Sequence, residues 1–531
     1  MRLLSSPGAG WQRAAAAARR LAGAAASAAR RHWLLTALLT AGLALRVVTQ
    51  VAYRPALFYI DTIKYLLGAY PGNDPPGYEL VLKVLLPLGN PASVAAIQHL
   101  LGLGMAVALY ALLLRRHAPR WLAALAAAPV LLDAYQLQME QSIMPDVWFE
   151  AVLVTGLVAL LWQPRPVRWM IITGGLALGA SAAFRQVGEI LIVPALVYAL
   201  VMAAPGWRQR LGQAAMLCAA FALPILGASF VNYVSIKHFS LAPYASSTIY
   251  GRVAQVADCG RLSLPSYERP LCPTASEKRL GPDGLDHDAA SPIKTYIPPA
   301  GMRNHNLMVD FARRVVLQQP ASVAAAVARD SVKLFALQRA TSPGDTPIDR
   351  WQFQAGYPQY PPYVTVSGGQ VTFASLTPLG TVKVLGTAER FGGGGPVAVP
   401  PLASFLRAYQ RGGGYTPGPL LAFCVLAGIA ASAGLLRRFR LPAAAREAAA
   451  ACLLVLASAV ILLLASDAFE FSWRYQLPAL VMLPPAGALA VTVPLARRAR
   501  AGRRQPADVP AYPPASAPGA QPADRDRAPA N

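Results

Sequence analysis

Apolar residues along the chain gather in about ten runs, each near the length that spans a bilayer. The runs cover about 33–53, 93–114, 121–137, 146–162, 168–184, 187–204, 211–236, 419–436, 448–466 and 475–496. They predict an all-α polytopic membrane protein of about ten transmembrane helices. The stretch 1–32 that precedes them is Ala-rich and basic, with Arg13, Arg19, Arg20, Arg30 and Arg31. A signal peptide is the competing reading there. The run from Trp33 is too long for a signal core and lacks a clear small-x-small cleavage site, so it is read as the first span.

The polar stretches between the runs carry the topology. Arg115, Arg116 and Arg120 lie in one connection, Arg165 and Arg168 in another, Arg208 and Arg210 in a third. Arg437, Arg438, Arg440 and Arg446 follow the eighth run, and Arg497, Arg498, Arg500, Arg503 and Arg504 follow the last. The alternate connections carry the acids, among them Asp61, Asp74, Glu79, Glu140, Asp467 and Glu470. Basic connections stay cytoplasmic, so both termini are placed in the cytoplasm of a multi-pass plasma-membrane protein.

This pattern divides the chain into a basic N-terminus (1–32), a transmembrane core (33–236) with a long outside loop (54–92), an outside insertion (237–418), C-terminal helices (419–496) and a disordered Pro/Ala-rich tail (497–531). The insertion is expected to be a partly ordered cap, with a helical stretch from Asn306 to Ala340 interrupted near Pro320. No internal repeat suggests the inverted halves of a transporter.

Composition agrees with the patterning. The chain has 531 residues, 55% hydrophobic and 14% charged, whereas a soluble domain carries about 25% charge. The net charge of +23 sits in the cytoplasmic connections, which argues against a nucleic-acid partner. Of five cysteines, Cys218, Cys424 and Cys452 lie in apolar runs, while Cys259 and Cys272 lie in the insertion, where a disulfide between them is open if that loop is outside the cell. There is no Walker loop, zinc-spaced cluster or dinucleotide fingerprint.

The ionisable residues at the outer helix ends and within the first span are the candidates for chemistry. Asp61, in Phe58-Tyr59-Ile60-Asp61-Thr62-Ile63-Lys64-Tyr65, follows the first span at the outer surface. It is either a general base or an interfacial Asp that faces water. Glu140 and Asp146 lie in the next outside turn, on the same side as Asp61. Asp146, beside Pro145, could equally be a helix-start residue. Arg185, Arg474 and Tyr475 lie at outer helix ends, where an Arg breaks the charge pattern. Arg185 could instead pair with Glu189, and Arg474 could snorkel to headgroups. Arg46 lies within the first span, where a charge is either functional or structurally paired. Lys64 and His99 complete the set.

The order of these features resembles the C-type glycosyltransferase superfamily (GT-C fold), above all the dolichyl-phosphate-mannose protein mannosyltransferases and the lipid A aminoarabinose transferase. Asp61 and Tyr65 match the Asp-then-Tyr that ends the first span in that branch. Pro75-Pro76-Gly77-Tyr78, followed by Glu79 to Leu88, matches its Pro-Pro-x-Tyr element and apolar helix. The likeness spans about 30–240, with Thr62 standing where many members carry an acid. It implies a glycosyltransferase using a polyprenyl-phosphate-linked sugar donor and a glycan, protein or lipid acceptor, at an extracytoplasmic active site. Asp61 would be the catalytic base. Tyr65, Glu140, Asp146, Arg185, Arg474, Tyr475, Lys64 and His99 would contact substrate. No cofactor is required, and a divalent cation is compatible. The alternatives are a transporter or lipid flippase, whose ionisable residues should lie near the midplane, and a non-catalytic assembly protein using the insertion as a docking surface.

Overall fold

The computed structural model describes residues 8–201, 206–376, 381–435 and 441–503. Arg437, Arg438, Arg440, Arg504 and the tail from 504 onward lie outside the described residues. Among the described residues each apolar run is mostly helix, but not every helix is a full span. Five are long and apolar enough to cross a membrane among the described residues: Trp33–Ala52, Pro91–Arg115, Trp207–Ile236, Ala443–Asp467 and the helix beginning at Pro478. A sixth forms if Arg120–Leu132 and Ala134–Gln141, bent by 50° at Asp133, are counted as one. Arg168–Phe184, Gln186–Leu200 and Gly418–Ala433 are apolar but shorter, as is Asp146–Leu161. Ten full spans are therefore not what the helix lengths give. A 16-residue helix rises only about 24 Å against a hydrocarbon core of about 30 Å.

Local chemistry sets the helix ends. Asn90 caps Pro91–Arg115 by accepting from the Ala92 and Ser93 amides at 2.9 and 3.3 Å, with Pro91 as the first helical residue. Asp133 accepts from the Tyr135 amide at 3.0 Å and so restarts the chain after the bend. At the far end, the buried Arg116 donates to the carbonyls of Leu161 and Gln163, both at 2.7 Å. It thereby satisfies orphan carbonyls where Asp146–Leu161 runs out.

The Pro478–Arg503 helix is the most buried of the five and packs on Ala443–Asp467, Gly418–Ala433 and Arg120–Leu132. Asp146–Leu161, Arg168–Phe184 and Trp207–Ile236 pack in succession beside it. Gly102 permits a close approach inside the bundle. A Cβ there would lie 2.0 Å from Glu140 Oε1 and 2.6 Å from Arg46 Nη2.

The insertion is folded more completely than its composition predicts. Ser246–Val256, Gly281–His287, Asn304–Gln318 and Pro320–Ser331 are helices, so the helical stretch does break at Pro320. Tyr250, Val253, Leu285, Leu307, Phe311 and Val315 form a separate small core, and Cys259 and Cys272 are joined in a disulfide. Val364–Ser367, Gln370–Leu376 and Val382–Thr387 form an antiparallel sheet that the sequence reading did not foresee. Phe373 of that sheet packs edge-on against Phe58 at 5.5 Å, which brings the cap over the loop that carries Asp61.

Candidate active site

The first span ends at Ala52, and the next residues run as an extended strap. Tyr53 and Arg54 pair with Ala398 and Val397. Leu57 exchanges backbone bonds with Gln141 and Ile143 at 2.9 and 3.0 Å. Asp61 then opens the short helix Thr62–Leu67 without spending its side chain on the cap. Thr62 is fully buried; its hydroxyl accepts from the Tyr59 amide at 2.9 Å and donates to the Ile143 carbonyl at 3.2 Å. The hydroxyl at this position ties the strap down, and a carboxylate there would face a carbonyl.

The Asp61 carboxylate lies between two cations, Lys64 at 3.0 Å and Arg474 at 2.7 Å. Lys64 also reaches Asp74 at 3.1 Å. Arg474 uses Nε and Nη2 on Asp146, at 3.0 and 2.9 Å to Oδ2, and Asp146 also binds Arg185. Arg185 stacks on the Tyr475 ring at 4.2 Å. Three carboxylates and three cations therefore form one network at the end of the bundle where both long loops lie. Burial alone would push the Asp61 carboxyl up, but Lys64 and Arg474 outweigh it and hold it well below the usual carboxylate range. Burial pulls the Lys64 ammonium down, and Asp61 and Asp74 more than restore it.

Most of the sequence candidates meet here: Asp61, Lys64, Asp146, Arg185, Arg474 and Tyr475. Tyr65 sits under them, its ring edge-on to Tyr78 at 5.2 Å. Asp146 is the first residue of its helix but makes no cap; its carboxylate serves the two arginines. Arg185 is paired with Asp146, not Glu189, and Arg474 is buried, not snorkelling. Glu140 and His99 do not join the group. Glu140 is sealed from solvent and bonds Arg46 at 2.7 Å and His99 at 2.8 Å, while His99 also meets Gln141 at 2.8 Å. In the structure both belong to a buried polar knot that satisfies the charge of Arg46.

The cap supplies a roof that the sequence reading missed. Trp351 lies 5.6 Å from the Arg474 guanidinium and 4.6 Å from the Tyr59 ring. Arg350 reaches the Tyr59 hydroxyl at 3.3 Å and Asp283 at 3.6 Å, and Asp283 pairs with His287 at 3.2 Å. Below this roof, burial pushes the Glu470 carboxyl up to about 8, with Asp283 adding to the shift. Burial opposes charge on His287, yet Asp283 and Asp286 raise it to about 9. The signal available in the sequence was the acid-and-His run Asp283-Gly284-Leu285-Asp286-His287. Among the described residues, no group of three or more His, Cys, Asp or Glu side chains is disposed to hold a metal ion.

Fold and site together define a polytopic membrane protein with a partly buried, charge-neutral carboxylate–cation network under a folded cap. Residues 61–240 match the dolichyl-phosphate-mannose-protein mannosyltransferase family, a segment that begins at Asp61 and contains every member of the network except Arg474 and Tyr475. No curated protein sequence matches the chain. Among solved structures, it is similar to the oligosaccharyltransferase AglB of Archaeoglobus fulgidus in complex with an inhibitory peptide and a dolichol-phosphate. Identity is 15%, the TM-score is 0.41, and 92% of this chain and 53% of that one are covered. The apo form of the A. fulgidus enzyme gives 15%, 0.41, 89% and 52%. The chain spans about half the length of these structures.

Proposed function

We propose that the protein is a membrane glycosyltransferase that moves a sugar from a polyprenyl-phosphate carrier to an acceptor hydroxyl on the extracytoplasmic face. The observation that carries this is Asp61, held ionised between Lys64 and Arg474, at the start of the segment that matches a lipid-linked mannosyltransferase family.

The network is neutral as it stands, so an arriving phosphate has to share its cations. In the proposed reaction, the donor phosphate takes Arg474 Nη1 and Lys64 from Asp61, with Arg185 beside it. Losing those partners raises the basicity of Asp61 as the donor binds. Asp61 then accepts the proton of the acceptor hydroxyl, whose oxygen attacks the anomeric carbon. The bond from that carbon to the phosphate oxygen breaks with inversion, and polyprenyl phosphate leaves with its electron pair, stabilised by the cations. Asp146 holds Arg474 in place with both of its oxygens. No cofactor enters this scheme. The charged groups gather at one end of the bundle, which favours interfacial chemistry over transport.

The test is release of free polyprenyl phosphate from a panel of polyprenyl-phosphate sugars by purified protein in lipid, with a crude cell-envelope acceptor. Release with one donor supports transfer and names the sugar. A folded sample that releases none across the panel puts the transporter and assembly readings ahead.

A further inference from the structure

Asp467 is the last residue of Ala443–Asp467 and is wholly buried, yet the proposed reaction does not use it. Its two oxygens join the cap to the bundle. Oδ2 lies 2.7 Å from the hydroxyl of Ser331, at the end of the cap helix Pro320–Ser331. Oδ1 accepts from the side-chain amide of Gln476 at 2.8 Å, and Gln476 stands two residues after Arg474.

Ser331 has one hydrogen for two contacts. Its Oγ lies 2.9 Å from the Val327 carbonyl as well as 2.7 Å from Asp467. A carbonyl only accepts, so the serine hydrogen goes to Val327, and the hydrogen between Ser331 and Asp467 has to come from the carboxyl. Charge balance agrees. Arg252 and Lys333 both pair with Asp330, and Lys333 also pairs with Asp345 at 2.7 Å. Two cations thus meet two carboxylates, and Asp467 makes no ion pair among the described residues. A third carboxylate here, out of water and at the C-terminal end of a helix, would be an uncompensated charge. The other ionisable groups on elements packed at this end of the helix do not offset it. Glu189 is exposed, Arg474 is taken by Asp61 and Asp146, and Glu470 is a further acid.

The turn that Asp467 reaches is held by the cap at three points. One is Gln476, through Asp467 and Ser331. Another is the Phe471 ring, 4.9 Å from the Lys333 ammonium. The third is Trp473, which packs edge-on against Phe471 at 5.3 Å and donates to the Ala340 carbonyl at 3.0 Å. Arg474 lies between these points, so the cap sets where its guanidinium stands against Asp61 and Asp146.

We propose that Asp467 is a protonated carboxylic acid that latches the Arg474 turn to the cap, and so is a positioning residue for Arg474 whose hold is lost when it ionises. An ionised Asp467 has no hydrogen to give. Ser331 must then turn its own hydrogen away from Val327 or lose the contact, and a new charge arises beside Asp330, the residue before Ser331. The latch itself rests on this geometry; its effect on rate rests on the transferase reading of the site.

Two measurements need no turnover. Infrared difference spectra of the full chain in phosphatidylglycerol vesicles, with isotope-labelled aspartate carboxyls, separate aspartates from glutamates. A protonated-aspartate C=O band that fades as pH rises and is missing in Asp467→Asn is the expected result, and identical spectra for the two proteins overturn the proposal. Hydrogen exchange in Pro320–Ser331 should accelerate beyond its intrinsic pH dependence as the wild type loses this proton. It should not do so in Asp467→Asn, whose amide donates to Ser331 and accepts from Gln476 as the protonated acid does. Equal acceleration in both proteins overturns the latch. The third measurement is donor release against pH, with a polyprenyl-phosphate sugar that the wild type uses. Asp467→Asn should stay within about twofold of the wild type at low pH and hold that rate where the wild type falls. Asp467→Ala should lose about 10²-fold throughout, the scale of a misplacement of about 1 Å. An alkaline fall shared unchanged by the wild type and Asp467→Asn overturns the positioning role. Infrared and exchange results as expected, with no release from any donor by the wild type, would leave the latch standing and remove the transferase reading instead.

Discussion

Arg474 donates to Asp146 through Nε and Nη2 and to Asp61 through Nη1, so a single planar group fixes two carboxylates. Lysine keeps the charge but cannot reproduce that fork. Arg474→Lys should therefore lower the transfer rate by roughly 10²-fold or more in a donor-release assay, and a wild-type rate would sink the role given to Arg474. The roof makes a pH prediction. Glu470 is raised from 4.5 to about 8 and His287 from 6.5 to about 9. Each retains a proton in the folded state that the unfolded chain gives up. Their contribution is thus complete below the unfolded values and is lost as pH rises toward 8 for Glu470 and 9 for His287. Hydrogen exchange in the cap segments over Glu470 should accelerate, beyond its intrinsic pH dependence, between pH 6 and 9. Glu470→Gln should flatten the part below pH 8, and the same slope in that variant would remove Glu470 as its source.

Single elements show where sequence reasoning succeeded and where it stopped. Apolar runs located the helices of the bundle because burial in lipid or core imposes them, but not Gly8–Arg31 or the cap helices Ser246–Val256, Gly281–His287 and Pro400–Arg411. They did not separate full spans from shorter helices, because the breaks come from Asp133 capping a new helix and from the turn at Arg185, not from loss of hydrophobicity. Asp61 and Asp146 stood out in the sequence as acids at outer helix ends, and Arg185 and Arg474 as arginines on the side where the pattern expects none. Glu140 looked the same but is spent on Arg46, a partner 94 residues away that no local pattern could pair with it. Glu140→Gln leaves Arg46 buried without its counter-ion and should cost about 3–5 kcal/mol, measured by thermal unfolding in detergent. Donor affinity in the folded fraction should stay within about twofold. Normal stability with a large loss of donor affinity would instead place Glu140 at the substrate.

Across the whole molecule, the insertion folds back so that Trp351 and Arg350 roof a site built from helix ends far apart in sequence. Asp61 and Arg474 are 413 residues apart, and the cap residues between them belong to Pro- and Gly-rich stretches without periodicity, which is why the roof was not legible. The cap core should depend on its covalent tie. Reducing Cys259–Cys272 should destabilise the cap by about 2–4 kcal/mol and speed its proteolysis in the intact protein, and unchanged cleavage would show that the tie is dispensable. The central claim is that this assembled site transfers a lipid-linked sugar with Asp61 as base. It is tested most directly by comparing polyprenyl phosphate release by the wild type and by Asp61→Asn on the same donor and acceptor. The account predicts release by the wild type and a fall of roughly 10²–10⁴-fold in the variant, with donor still bound. Equal release by both proteins would contradict it.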